Sequence, residues 1–256
     1  MAKIITFSNQ KGGVGKTTTC INLAAYVAEK GYRVLVVDMD PQGNASSALG
    51  VFDRTSKHTI YEVLCDDLDI KSALSSTDIS SLKLLPSSSD LAGAEIELAQ
   101  VVIGRERVLE EKLDGVKADF DYIFIDCPPS LGLLTVNALT ATNSVVIPIQ
   151  CEFFALEGLS QMMNTVKLVK KFLNPLISVD GVVLTMYDSR SKLSKEVNEE
   201  IVKFFGDTVF DTKIPRNVRL AEAPSYGKPV VVYDKRCSGA IAYSALADEF
   251  LTKIKP

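Results

Sequence analysis

The sequence lacks paired cysteines and long apolar runs, and each absence argues against a class of protein. Its five cysteines are scattered and form no C-x-x-C pair, which disfavours a zinc or iron–sulfur centre and suits a reducing cytosol. No stretch approaches the roughly 18 apolar residues of a membrane span. The N-terminus, MAKIITFSNQ, has no signal-peptide pattern. We therefore expect a soluble, cytoplasmic protein.

A general excess of positive charge is also missing. The 28 lysines and arginines are outnumbered by 32 aspartates and glutamates, for a net charge of −4. This excludes a chain coated in basic residues but leaves room for a local basic patch. The 46% apolar and 23% charged composition is that of a globular protein. With no linker, repeat or low-complexity tract, we expect one domain over residues 1–256.

Short apolar segments that are continuous rather than alternating indicate strands buried on both faces. They lie at residues 4–8, 34–38, 122–126, 144–149 and 182–185. Helical spacing of apolar residues is found between them, at 16–30, 91–113, 155–173 and 191–205. This alternation predicts an α/β fold with a doubly wound, mostly parallel sheet flanked by helices. The irregular stretch 50–90 is predicted to be short helices and loops inserted between two strands.

Residues 10–17, QKGGVGKT, match the phosphate-binding pattern G-x-x-x-x-G-K-[ST] except that Gln10 replaces the first glycine. They lie between a predicted strand and a predicted helix, where backbone N–H groups and the helix dipole can surround phosphate oxygens. Lys16 is predicted to neutralise the β- and γ-phosphates, Thr17 to ligate Mg²⁺ and Thr18 to contact the α-phosphate. The predicted phosphate-binding residues are Gly12, Gly13, Val14, Gly15, Lys16, Thr17 and Thr18.

Carboxylates follow two of the predicted strands. Asp38 and Asp40 come at the end of VLVVDMD, and Asp126 ends YIFID. Ligands of open α/β sheets collect at the carboxyl ends of strands, where an aspartate commonly serves Mg²⁺. Each residue also has a simpler interpretation, because Asp126 could cap a helix or turn and Asp40 belongs to the strong turn sequence DPQG.

Four segments closely resemble the chromosome-partitioning ATPases of the ParA/Soj type. They are KGGVGKTT (11–18), VDMDPQGNAS (37–46), FIDCPPSLG (124–132) and IPRNVRLAEAPSYGKP (214–229). The resemblance runs nearly from end to end, and these ATPases share a deviant phosphate-binding loop with MinD. It implies slow hydrolysis of ATP to ADP and phosphate, with Mg²⁺, in a homodimer that encloses two ATP molecules.

The resemblance also implies roles for particular residues. Lys11 would reach the phosphates in the partner protomer, with a solvated loop lysine as the alternative from the sequence alone. Asp40 would orient or activate the attacking water, while Asp38 and Asp126 would serve the Mg²⁺ shell. A switch loop that senses the γ-phosphate would contain Pro128 and Pro129. The adenine would lie against Met186, Pro215 and Asn217.

Non-specific double-stranded DNA and a ParB/Spo0J-like protein are the partners that the resemblance implies, with a nucleoid-associated location. The segment 213–236 has six basic and two acidic residues, a local surplus suited to phosphate contacts. Arg190, Lys192 and Lys195 form a second cluster. A solvated charged face is the alternative. The predicted DNA-binding residues are Arg190, Arg219, Lys228 and Arg236.

Two other functions remain open at this stage. A MinD-like ATPase would bind membranes through a C-terminal basic amphipathic helix, but the tail SALADEFLTKIKP shows no such segment, so we expect no membrane binding. A ParA-like ATPase could instead position a protein cargo. Because the first strand begins at residue 3, we expect no helix-turn-helix domain before it.

Overall fold

The structure is a computed structural model that describes residues 1–51, 57–152 and 155–256. The strands are β1 (Lys3–Phe7), β2 (Val34–Asp38), β3 (Ser75–Ser76), β4 (Leu82–Leu85), β5 (Tyr122–Asp126), β6 (Ser144–Gln150) and β7 (Ser178–Thr185). They form one sheet with the order β3-β4-β2-β5-β1-β6-β7, in which, among these described strands, only the β3–β4 pair is antiparallel. The doubly wound, mostly parallel fold is therefore confirmed.

Helices cover both faces of the sheet because neighbouring strand residues point to opposite sides. The helices are α1 (Lys16–Glu29), α2 (Asn44–Ala48), α3 (Ile60–Cys65), α4 (Leu91–Gln100), α5 (Val108–Asp114), α6 (Leu133–Ala141), α7 (Ala155–Phe172), α8 (Lys192–Phe205), α9 (Val218–Glu222), α10 (Val230–Tyr233) and α11 (Ser238–Lys253). In β5, Tyr122 and Phe124 pack with α1 and α11, whereas Ile123 and Ile125 pack with α3 to α6.

Two local predictions were wrong. The stretch 50–90 supplies two strands of the sheet, β3 and β4, besides α3, while residues 52–56 lie outside the described chain. The segment 91–113 is two helices rather than one. The first helix ends at Gln100, after which Val101 is extended, and Gly104 in the break has a φ of +84°, a left-handed conformation that glycine adopts without strain.

The strand order decides where the site can form. Strands β1, β5 and β2 are adjacent, and their register places Asp126 beside Phe7 on one side and beside Asp38 on the other. The carboxyl ends of these three strands, with the loops that follow them, therefore share one edge of the sheet. In the described part of the chain, no helix has the length and apolar character that crossing a membrane requires.

Candidate nucleotide site

The loop between β1 and α1 has the backbone of a phosphate-binding loop. Gly13 and Gly15 have φ values of +75° and +84°, in the region where glycine is favoured because a side chain would clash. A Cβ atom added to Gly12 or Gly13 would meet no atom within 4 Å, so this part of the loop faces open space. Gly15 directly precedes α1, whose N-terminus is oriented for anion binding.

Lys16 is the first residue of α1 and is only 6% exposed. Its ammonium donates a hydrogen bond to the Lys11 carbonyl oxygen at 3.1 Å, and it forms no salt bridge with any described residue. Burial lowers the pKa of Lys16, and the nearby carboxylates of Asp126 and Asp40 offset only part of this effect. The arrangement leaves a buried positive charge available for phosphate.

The phosphate-binding loop opens into a cleft of about 650 Å³. Most of the predicted phosphate-binding residues line it, together with Asp40, Pro129 and Met186. Val14 does not; its side chain is buried, and its carbonyl accepts a hydrogen bond from Thr185 Oγ1 at 2.8 Å. Several cleft residues were missed in the sequence: Gln42, Asn44, Leu220, Ala221, Pro224 and Ser225. All six lie within the resemblance segments, which could have indicated them.

A second, mostly apolar cavity of about 230 Å³ adjoins the cleft at Gly15 and Thr18. All three residues predicted to contact adenine, Met186, Pro215 and Asn217, line it. Met186 has a φ of +49°, a strained conformation for a residue other than glycine that is typical of functional sites. The structure thus brings together the predicted adenine residues beside the phosphate loop, at a size suited to a planar ring.

Asp126 and Asp38 lie side by side at the ends of β5 and β2, but their surroundings differ. Asp38 Oδ2 accepts hydrogen bonds from Ser46 N at 2.8 Å and Ser46 Oγ at 2.7 Å, and its Oδ1 accepts one from Asp40 N at 3.2 Å. Neither oxygen of Asp126 has a hydrogen-bond partner among the described residues, although both are buried. Asp126 therefore has two free ligand oxygens, whereas Asp38 holds the start of α2.

The electrostatics of this pair favour a cation. Burial is the main cause that raises the pKa of Asp38, to about 6. Burial, followed by repulsion from Asp38, raises the pKa of Asp126 well above its usual range. The Thr17 hydroxyl lowers the pKa of Asp126, but forms no hydrogen bond of ordinary geometry with it. A divalent ion would relieve this repulsion.

The donors present fit Mg²⁺ better than a metal held by protein alone. Within the described ranges, no three side chains of the His, Cys, Asp and Glu types cluster as a metal site. Mg²⁺ usually takes one or two protein ligands and completes its shell with phosphate oxygens and water. Thr17 and the unpartnered oxygens of Asp126 suit that pattern.

Asp40 is both a turn residue and a residue of the nucleotide cleft, the two roles that the sequence left open for it. It forms the predicted turn, with Gln42 N donating to Asp40 Oδ1 at 2.9 Å and Gly43 N donating to the Asp40 carbonyl oxygen at 2.9 Å. It is also only 7% exposed and lines the cleft. The turn therefore holds the carboxylate at the edge of the site.

Lys11 is oriented away from the site that its own loop forms. Its ammonium forms an ion pair with Glu152, which follows β6, and Lys11 does not line the cleft. Its backbone N–H donates to Asn9 Oδ1 at 3.0 Å, which fixes the loop before the glycines. The two lysines of the loop thus face different surroundings.

The predicted DNA-binding residues lie outside the cleft, and two of them already have acidic partners. Arg219 contacts Glu222 at 2.8 Å and Asp234 at 3.6 Å, and Arg190 contacts Asp188 at 3.1 Å. Lys228 and Arg236 form no salt bridge within the described chain. The bridge between Tyr187 and Pro215 brings the two basic segments onto adjacent loops. Arg219 precedes Leu220, which lines the cleft.

A parallel α/β sheet, a glycine loop before a helix and an aspartate at the neighbouring strand end define a P-loop nucleotide-binding protein. Comparison with known proteins narrows the class. A family model described as an AAA domain matches residues 2–179. The sporulation initiation inhibitor protein Soj of Bacillus subtilis is 55% identical over 97% of this chain and 98% of its own. The chain therefore belongs to the ParA/Soj family of ATPases, as the sequence predicted.

Solved structures with the same fold contain bound nucleotides. Cobyrinic acid a,c-diamide synthase from Mycobacterium smegmatis, with bound ADP and magnesium, superimposes with a TM-score of 0.84 at 39% identity, over 97% of this chain and 93% of that one. A putative plasmid partition protein from Borrelia burgdorferi bound to AMPPNP has a TM-score of 0.82 at 29% identity, over 99% and 100%. The protein is an ATPase whose cofactors are ATP and Mg²⁺, which confirms both predictions.

Proposed function

We propose that this ATPase is a DNA-segregation switch: an ATP-enclosing homodimer binds DNA without sequence preference and is released when a ParB/Spo0J-like partner stimulates hydrolysis. The observation that carries the proposal is the opposite orientation of the two loop lysines. Lys16 is buried at its own cleft, while Lys11 points to Glu152 outside it. A lysine so placed is available to a phosphate site in another protomer.

In the proposed reaction, Lys16 and the backbone N–H groups of the loop bind the phosphates, and Asp40 orients the attacking water. Thr17 and Asp126 would hold Mg²⁺, which neutralises phosphate charge when bound. Lys11 of the partner protomer would stabilise charge on the transferred phosphoryl group, as an arginine finger does. Asp38 would act mainly by fixing Ser46 and the start of α2.

DNA binding would use Arg190, Arg219, Lys228 and Arg236, and would place the dimer on the nucleoid in the cytoplasm. The names of the relatives, Soj and a plasmid partition protein, support this role. Phosphate contacts of this kind are independent of sequence and weaken steeply with salt. Because Arg219 lies on α9 next to a residue of the cleft, nucleotide state and DNA contact can be coupled through one short helix.

A DNA-retention assay with ATP, ADP or no nucleotide, repeated over a salt series, tests the proposal. We expect retention with ATP only, a linear fall of log affinity with log salt, and a smaller slope for Arg219→Ala. Lys16→Ala should lose nucleotide binding and retention together. Asp40→Ala should bind ATP and stay on DNA without turnover. Retention that is independent of ATP, or ATP-dependent binding to anionic vesicles instead of DNA, would contradict the proposal.

A further inference from the structure

Outside the cleft, one oxygen of a half-buried carboxylate has no hydrogen-bond partner among the described residues. Glu95 lies on α4, and its Oε1 is buried without a hydrogen-bond partner in the described part of the chain. A Cβ atom added to Gly132 would lie 1.8 Å from this oxygen and 2.7 Å from Glu95 Cδ. The carboxyl group therefore packs directly on the Gly132 backbone. Burying an acceptor without a donor costs free energy, so packing alone does not account for this arrangement.

Gly132 is the point where the loop after β5 joins α6. We define residues 127–132 as the switch loop. Pro129 of this loop lines the nucleotide cleft, and Gly132 precedes α6 without any side chain capping the helix. Thr135 Oγ1 donates to the Ser130 carbonyl oxygen at 2.7 Å, so the loop is tied to the first turn of α6. Movement at the cleft would thus be transmitted to the place where Glu95 sits.

The first turn of a helix supplies the donors that Glu95 lacks. Its N–H groups have no partner within the helix, and they carry the positive end of the helix dipole, which stabilises a nearby carboxylate. Glu95 is already in contact with the residue before that turn. A small shift of the switch loop with the start of α6 would bring an N–H group to Oε1. The two positions of the loop then differ by one charge-assisted hydrogen bond.

We propose that Glu95 is a positioning residue: it accepts a backbone hydrogen bond from the start of α6 when ATP is bound, and so stabilises the ATP position of the switch loop. This inference rests on the proposed function and on the γ-phosphate sensing that the resemblance implies for Pro128 and Pro129 of the switch loop. Glu95 does not line the cleft and acts only through the loop. A ligand shifts a conformational equilibrium only through interactions that differ between the two states, and this hydrogen bond is such a difference.

Nucleotide selectivity provides the first test, with fluorescent ATP and ADP analogues as probes. Glu95→Ala should reduce the preference for ATP over ADP by about tenfold, since hydrogen bonds to charged groups are among the stronger ones, while ADP affinity stays within about twofold. Glu95→Gln should retain much of the preference, because its amide oxygen still accepts. Glu97→Ala on the exposed side of the same helix is the matched control. Equal selectivity in Glu95→Ala and Glu97→Ala would overturn the inference.

Hydrogen–deuterium exchange provides a readout that does not depend on turnover. In the wild type, ATP should protect residues 128–136 more than ADP does, and Glu95→Ala should lose this difference while residues 8–18 remain protected. A uniform rise in exchange throughout Glu95→Ala, with either nucleotide, would show a merely structural role and overturn the inference.

Gly132→Ala tests the contact from the other side, because its Cβ would occupy the place of Glu95 Oε1. It should show the same loss of selectivity, and the double variant with Glu95→Ala should be no worse than Glu95→Ala alone. Additive losses would overturn the inference. The wild-type DNA-retention assay is run in parallel, and retention without ATP dependence would mean that the proposed function has failed. If retention does depend on ATP but Glu95→Ala keeps the wild-type preference for ATP over ADP, only the role of Glu95 is refuted.

Discussion

Replacing Asp126 by asparagine should stabilise the metal-free protein while abolishing its response to Mg²⁺ and ATP. Asp126 is completely buried, lies beside Asp38, and has no hydrogen-bond partner for either oxygen among the described residues. Such a carboxylate is costly to ionise, and burial accordingly raises its pKa well above the usual range. Asparagine keeps the shape and removes the charge.

The size of the effect follows from linkage. An aspartate has a pKa of about 4 in the unfolded chain, and each pH unit between the two pKa values is worth about 1.4 kcal/mol. Folding raises the pKa of Asp126, so this cost accumulates as the pH rises from about 4 towards the raised pKa. The unpaired amide of the variant offsets about 1–3 kcal/mol of the gain. We expect a net stabilisation at neutral pH, seen as a rise of about 2–4 °C in Tm for each kcal/mol gained.

Thermal unfolding in EDTA at several pH values measures this gain. Below pH 4 both states bind the proton and the charge contributes nothing. The advantage of Asp126→Asn over the wild type should then grow as the pH rises through the unfolded pKa, up to the raised folded one. Asp38→Asn is the matched control: it also removes a carboxylate whose pKa is raised, to about 6, but an amide cannot accept all three hydrogen bonds of Asp38. Its gain above pH 4 should therefore be smaller than that of Asp126→Asn. A destabilised Asp126→Asn, or a gain independent of pH, would refute the reasoning.

Three further predictions concern other parts of the molecule. Lys11→Ala should keep its affinity for ATP but lose ATP-dependent dimerisation in sedimentation experiments; loss of ATP binding would contradict its place outside the cleft. Glu222→Gln should tighten DNA binding several-fold at low salt, because it removes one of the two acidic partners of Arg219; unchanged affinity would exclude Arg219 from the DNA contact. Gly181→Ala should cost about 1–3 kcal/mol in denaturant unfolding, because its Cβ would lie 2.4 Å from the buried Phe210 ring, whereas Gly93→Ala should cost nothing.

The elements that the sequence predicted are those with strong local signals. Continuous apolar runs gave the five long strands, because a strand buried on both faces needs no polar alternation. The strands β3 and β4 were missed because a two-residue strand and the short LKLL, which includes Lys83, show no such run. Their place in the sheet depends on pairing with β2, which is remote in sequence. The helix prediction over 91–113 failed because the chain leaves the helix at Val101 and turns at Gly104, a break that the apolar spacing does not show.

The phosphate loop is the part of the site that the sequence determined by itself, since its glycines, Lys16, Thr17 and the helix that follows are contiguous and act through local backbone geometry. Tertiary structure alone decided which groups surround the charged side chains of Asp126, Lys11 and Glu95. Strand order placed Asp126 beside Asp38 and left its oxygens unpaired. Lys11 was brought to Glu152, 141 residues away, and Glu95 was packed on Gly132. Partners so distant in sequence are set by packing and desolvation of the whole fold, which no local pattern records.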